Sequence, residues 1–155
     1  MHVSRICWVL VAVLGISSGV MAYKFIWSGS VKQSDDGRLA IQLTPGERDL
    51  VLAEMRAFLD SVQMITQGIA DRNFAVIAKA ADDVGLKAQQ EVPGTLVGKL
   101  PLEFKTLGFE THQQFTQLSL DAKQLNDEAH TLEQLSTILN NCVACHAAFK
   151  FEIQR

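Results

Sequence analysis

The sequence predicts an all-α protein, an antiparallel four-helix bundle preceded by an N-terminal membrane anchor or signal helix. Three observations predict it. The chain opens with one apolar run. Apolar side chains then recur at spacings of three and four through most of the remainder, and Pro, Gly and capping residues divide that periodic sequence into four stretches with short connections. At 155 residues there is room for one domain with a real core. A net charge of −3 and a pI near 5.8 argue against nucleic acid as a partner, because such binders carry a basic face.

Residues 6–26 read ICWVLVAVLGISSGVMAYKFI, with Lys24 the sole charge. As a helix this run spans roughly 31 Å, about the hydrocarbon thickness of a bilayer. Arg5 on its flank holds the N-terminus in the cytoplasm, a bias that Lys24 and Lys32 weaken. Residues 1–27 are therefore either an uncleaved anchor or a signal peptide cut near Val20-Met21-Ala22. Apolar Phe25, Ile26 and Trp27 beyond that cut favour the anchor. A core helix of this composition would need burial on all sides. Both leading readings export the remainder.

Residues 28–43 are expected to form a linker, in which Ser34-Asp35-Asp36-Gly37 can turn a short hairpin between Val31 and the run Leu39-Ala40-Ile41-Gln42-Leu43. The domain proper is expected over 44–155. Thr44-Pro45-Gly46-Glu47 combines an N-cap, a Pro at the first helical position and a capping-box Glu. Val51, Met55, Phe58, Val62, Ile65 and Ile69 then mark one helical seam, ending near Ala70. Asp71 is expected to cap a second helix with Phe74, Ile77, Ala80, Ala81 and Val84 on one side, closed by Pro93-Gly94. Leu100-Pro101 opens a third with Phe104, Leu107, Thr111, Phe115 and Leu118. Asn126-Asp127-Glu128 breaks the pattern. Thr131-Leu132-Glu133-Gln134 resembles another capping box, starting a fourth helix through Leu135, Ile138, Cys142, His146 and Phe149.

That fourth helix carries Cys142-Val143-Ala144-Cys145-His146. Of the three cysteines, Cys7 lies alone in the apolar run, so no disulfide framework exists. Cys142 and Cys145 are one turn apart and His146 is four residues from Cys142, so all three share a face. A haem against that face can take a thioether to each sulfur while the imidazole reaches its iron. A redox dithiol would need the cysteines at a helix N-terminus, where the thiol pKa falls. Zinc would need a further ligand, and His112 and His130 lack ligand spacing. A disulfide between residues three apart on a helix would be strained and close almost no loop. The site implied is one covalent haem c.

A four-helix bundle with C-x-x-C-H late in its last helix resembles the class II c-type cytochromes, cytochrome c-prime and its low-spin Met/His-ligated relatives. The resemblance covers roughly 44–155 and is most specific at Cys142 to Lys150, where Phe149-Lys150 matches the family's aromatic-basic ending. It extends to Met55 early in the first bundle helix, to Met64-Ile65 about two turns later, and to the stretch from Leu100 to Phe115. It implies thioethers at Cys142 and Cys145, axial ligation by His146, and a sixth position faced by the first bundle helix. Met55 stands there, either as a thioether ligand or as a core residue. A register slip of one would put Arg56 there instead, and His112 is a rival ligand. Met64 reads as core. Phe58, Phe104, Phe115 and Phe149 are candidates for the haem wall.

The function expected is electron transfer by an exported monohaem cytochrome that catalyses no reaction on a substrate. The alternative is a five-coordinate gas-binding or gas-sensing protein of the c-prime type. The expected partners are redox proteins and, through the N-terminal helix, the membrane. The resemblance also allows a homodimer through the first two bundle helices. The location implied is the periplasmic side of the bacterial inner membrane, anchored there or soluble if the N-terminus is cleaved.

Overall fold

The computed structural model describes residues 5–154, and the chain over this range is mostly helical. Helix α1 (Arg5–Ala22) continues into a wider π-helical turn over Tyr23–Ser28. Together they form one helix, Cys7–Ser28, long and apolar enough to cross a membrane, with a mean hydropathy of 1.9 and none of that window buried. A core helix is thereby set aside. An anchor and a signal segment both fit.

The stretch 28–43 forms a hairpin, β1 (Val31–Gln33) against β2 (Leu39–Leu43), antiparallel with Val31 opposite Ile41. Ser34 N–H donates to Arg38 O at 3.0 Å, and Gly37 adopts φ 87° in the turn between them. Strand β2 is largely buried, with Ile41 and Leu43 at 0 % exposure. Its other edge pairs in parallel with β3 (Phe149–Ile153), Leu39 opposite Phe149 and Leu43 opposite Ile153.

This sheet is the main departure from the all-α expectation. The last helix, expected to run through Phe149, stops at Ala148. Phe149-Lys150-Phe151-Glu152-Ile153 alternates apolar and polar residues, the two-residue period of a strand with one buried face. Phe149 and Phe151 both meet the Phe104 ring edge-on, with centroids 5.5 and 5.7 Å away.

Helix α2 (Pro45–Ala70) begins as expected: the Thr44 side chain accepts from Glu47 N–H, and the Glu47 carboxylate accepts from Thr44 N–H at 2.8 Å. Its end is different in detail. Asp71 closes α2 instead of capping the next helix, Arg72 turns the chain at φ 53°, and Asn73 caps α3 (Phe74–Asp83) by accepting from Val76 N–H. A 3₁₀ segment (Leu86–Glu91) and the short α4 (Gly94–Val97) lead to α5 (Leu102–Leu125). Asn126 in the left-handed region turns the chain into α6 (Glu128–Ala148), capped by Asp127, whose carboxylate accepts from His130 N–H at 3.0 Å. Asp127 thus precedes the Thr131 cap that the sequence suggested; the Thr131 hydroxyl donates back to Asp127 O at 2.7 Å.

Helix α3 packs between α2 and α5, α5 packs along α6, and α6 also meets α2. Their shared core includes Ile65, Ile77, Phe115, Leu118, Leu135 and Ile138. Small residues permit the close α2–α3 approach: a Cβ on Gly68 would stand 2.6 Å from the Ile77 side chain. Polar groups inside are paired, Ser61 Oγ donating to Ala80 O and Ser119 Oγ to Ala78 O. A second apolar cluster, around Ile41, Leu43, Val51, Leu100 and Phe149, joins the sheet to the helices at the end where α2 starts and α6 stops.

Candidate functional site

The last turns of α6 hold Cys142, Cys145 and His146. Both cysteines are half-buried and unpaired, and His146 is exposed. Cys145 packs against the second cluster, which includes Phe104, Leu107 and Phe149. Burial pushes the Cys142 thiol up, and burial together with the neighbouring Cys142 pushes Cys145 up to about 11. The C-terminal end of a helix, with its partial negative charge, also opposes a thiolate. A redox dithiol needs the opposite on both counts. Among the described residues no group of three or more His, Cys, Asp or Glu side chains converges as a metal site, so no third protein ligand stands with the cysteines for zinc.

Helices α2 and α6 run antiparallel, and three pairings set their register. Arg72 Nε lies 2.8 Å from Glu128 Oε1 at one end, Ile65 shares the main core with Leu135 and Ile138, and Val51 shares the second cluster with Phe149 at the other end. Met55 therefore lies level with Cys145, and Phe58 level with Cys142. Glu128 pairs with Arg72 in the turn that follows α2. At 100° per residue, Leu139, Val143 and His146 project from the same side of α6 as Glu128. On α2, Ser61 and Glu54 turn toward α3 and α5, leaving Leu52, Met55 and Leu59 on the flank toward α6.

An uncovered apolar strip results. Leu59 and Val143 are each 69 % exposed and Leu139 39 %, with Met55 half-buried among them and His146 at the C-terminal end. No family model matches the chain, and neither a curated protein nor a solved structure does. The geometry of this strip is therefore the ground on which function is argued.

The rival ligand lies elsewhere. His112 is buried at 3 % exposure, its Nδ1 2.7 Å from Val84 O and its Nε2 3.2 Å from Glu54 Oε1, with the Phe58 ring 4.9 Å away. Both ring nitrogens face protein acceptors, so the imidazole is occupied in holding α5 against α2 and the end of α3. A cavity of about 250 Å³ adjoins it, lined by Leu50, Glu54, Phe58, Val84 and Leu96, on the other flank of α2 from the CxxCH strip. His130 pairs with Asp121 at 3.1 Å near the α5–α6 turn, far along the bundle from Cys145. Met64, expected in the core, is 39 % exposed.

Sequence reasoning missed several contributors. Arg38, in the hairpin, has Nη1 3.4 Å from His146 O and is held by Asp36 at 2.7 Å. Its contact with α6 bridges most of the chain length and leaves no local signal. Leu59, Leu139 and Val143 could have been found by plotting both helices as wheels and asking which apolar side chains fall outside the seam.

Proposed function

We propose that this chain is an exported, membrane-tethered monohaem c-type cytochrome that transfers electrons, its helices α2, α3, α5 and α6 forming an antiparallel four-helix bundle of the class II kind. The reading is carried by the CxxCH triad at the end of α6 together with the helix register, which sets Met55 of α2 level with Cys145 and His146 beside the exposed apolar side chains Leu59, Leu139 and Val143. The donor set fits a haem. Cys142 and Cys145 are one turn apart, half-buried and kept as thiols. Leu59, Leu139 and Val143 are apolar surface suited to a flat apolar ring.

In this reading Cys142 and Cys145 would hold a haem through thioethers, and His146 and Met55 would donate to its iron. A haem bound there supplies a one-electron couple whose potential follows from axial ligands and burial. The chain's own residues do the rest. Arg38 and the β2–β3 pairing hold the end of α6, so that the position of His146 is set by the sheet. Phe104 and Phe149 stiffen the wall behind Cys145. No side chain needs to act on a substrate, so the protein is no enzyme. Covalent attachment of haem c takes place outside the cytoplasm, which accords with the apolar N-terminal helix and with a site on the periplasmic side of the bacterial inner membrane. Redox proteins are its partners, and self-association through α2 and α3 is compatible with the class.

The exposed Leu59 supports a second reading, in which an apolar side chain rather than sulfur covers the face opposite His146 and the protein binds gases in the c-prime manner. Absorption spectra of the haem-loaded chain decide between them. Electron transfer with Met55 ligation predicts low-spin bands unmoved by carbon monoxide, and Met55→Ala converts them to high-spin. High-spin bands that shift promptly with carbon monoxide in the unaltered chain support the gas-binding reading and remove Met55 as a ligand.

A further inference from the structure

The chain between α1 and the domain has no slack. Ser30 N–H donates to Lys99 O at 2.7 Å, and Gln42 N–H donates to Ser30 O at 2.8 Å, tying this residue to the α4–α5 connection and to β2. Gly29 has φ 65° and lies so close to that connection that a Cβ would stand 2.5 Å from Lys99 O. The Phe25 ring lies against Gly98, where a Cβ would meet it at 3.1 Å. Lys105 Nζ donates to Phe25 O at 2.8 Å and to Ile26 O at 3.1 Å, satisfying carbonyls that a helix end leaves unpaired. Before this point the apolar helix is exposed, and none of its candidate span is buried.

With α1 across a bilayer, Tyr23, Lys24 and Trp27 fall at the outer interface, where aromatic rings and snorkelling cations are at home. The α4–α5 corner then begins within a few residues of the headgroups. Val97 at 39 % and Phe109 at 50 % exposure stand on this corner, Phe109 one turn beyond Lys105 on the same face of α5. The CxxCH motif belongs to the same end, since Cys145 packs on the cluster of Leu100, Phe104 and Leu107, residues interleaved with Lys99 and Lys105. Leu125, the last residue of α5, lies about 24 Å beyond Phe109 along that helix, and Leu132 stands near the start of α6 at the same far end.

We propose that the α4–α5 corner rests, through Val97 and Phe109, on the phospholipid surface of the membrane that α1 crosses, and that the docked junction at Gly29 and Lys105 fixes this posture. The CxxCH end of α6 is thereby kept on the membrane-facing side of the domain, toward redox proteins embedded in the same bilayer rather than carriers arriving from above. This rests on the anchored reading of the N-terminus and deepens the proposed function by naming the kind of partner.

The test is photo-cross-linking in the full, haem-loaded chain reconstituted into vesicles of phosphatidylethanolamine and phosphatidylglycerol. A benzophenone amino acid replaces Val97, Phe109, Leu125 or Leu132 in turn, and lipid adducts are read by mass spectrometry. Adducts at Val97 and Phe109 with none above background at Leu125 and Leu132 are expected. A flexible Gly-Ser insert of about ten residues after Trp27, reaching roughly 17 Å, should abolish the difference. Equal adducts at both ends of the unaltered chain overturn the proposal. So does an intact mass showing that Cys7–Ser28 is removed from the mature protein. In-gel haem staining of the same samples reports separately on the cytochrome reading.

Discussion

Cys145 sits one turn from Cys142 with its thiol held up to about 11 by burial and by that neighbour. Thiolate is the reactive form, so a rise from the ordinary 9.0 to about 11 reduces it about a hundredfold at neutral pH. In chain made without haem, iodoacetamide at pH 8 should therefore alkylate Cys145 far more slowly in the folded state than in urea. Equal rates would remove the burial argument. The folded value lies above the ordinary one, so the neutral thiol contributes stability that is intact below pH 9.0 and is lost as pH rises through about 11. Much of the site is legible at this scale. The spacing of Cys142, Cys145 and His146 on a helix is local information, while Met55, expected on the inward seam of α2, is half-buried outside both apolar clusters. Arg38 was not legible, because its partner on α6 is brought to it only by the sheet. Asp127 was obscured by the better-looking capping box at Thr131, although the left-handed Asn126 before it makes the earlier start the one the chain can use.

The elements divide in the same way. Helices α2 and α5 are written in seams of three and four, and their positions follow from short stretches of sequence; α3, expected to run from Asp71 to Pro93-Gly94, instead starts at its Asn73 cap and ends at Asp83, before a 3₁₀ segment and the short α4. Strand β3 is five residues abutting a helix, and its partner β2 is more than a hundred residues earlier, so neither length nor neighbourhood announces it. It matters because it stops α6 just after His146 and seals the second cluster. Phe149 is 4 % exposed and packs on Phe104, so Phe149→Ala should lower the unfolding free energy of the full chain in detergent by about 3 kcal/mol, as urea midpoints would record. Ile153, at the far end of the same strand and 46 % exposed, should cost about 0.5 kcal/mol when truncated to Ala. If the two variants were equally stable, β3 would not be a packed strand of the core.

Across the whole molecule, exposed apolar side chains outside α1 stand on α2, α4, α5, α6 and β3, and three of them, Leu59, Leu139 and Val143, fall on α2 and α6. Soluble domains scatter single apolar side chains over their surfaces but seldom align them on both walls of one helix–helix groove. By the helix register Leu59, Leu139 and Val143 lie near one another, with Met55 and His146 at one end of the group. Covering them would contribute about 25 cal/mol for each Å² removed from water. If the cover is a covalent haem, hydroxyl-radical footprinting should show Leu59 and Val143 heavily modified in chain made without haem and protected once it is attached. Leu125 and Leu132, at 55 % and 56 % exposure on the far end, should react alike in both forms. A homodimer formed over the strip predicts a different pattern, with protection that grows with protein concentration and ignores haem. Protection at Leu59 and Val143 that follows haem alone, at any concentration, assigns the strip to the cofactor. Heavy modification in the haem-loaded chain would mean that the group attached at Cys142 and Cys145 lies on some other face, and Met55 would lose its place opposite His146.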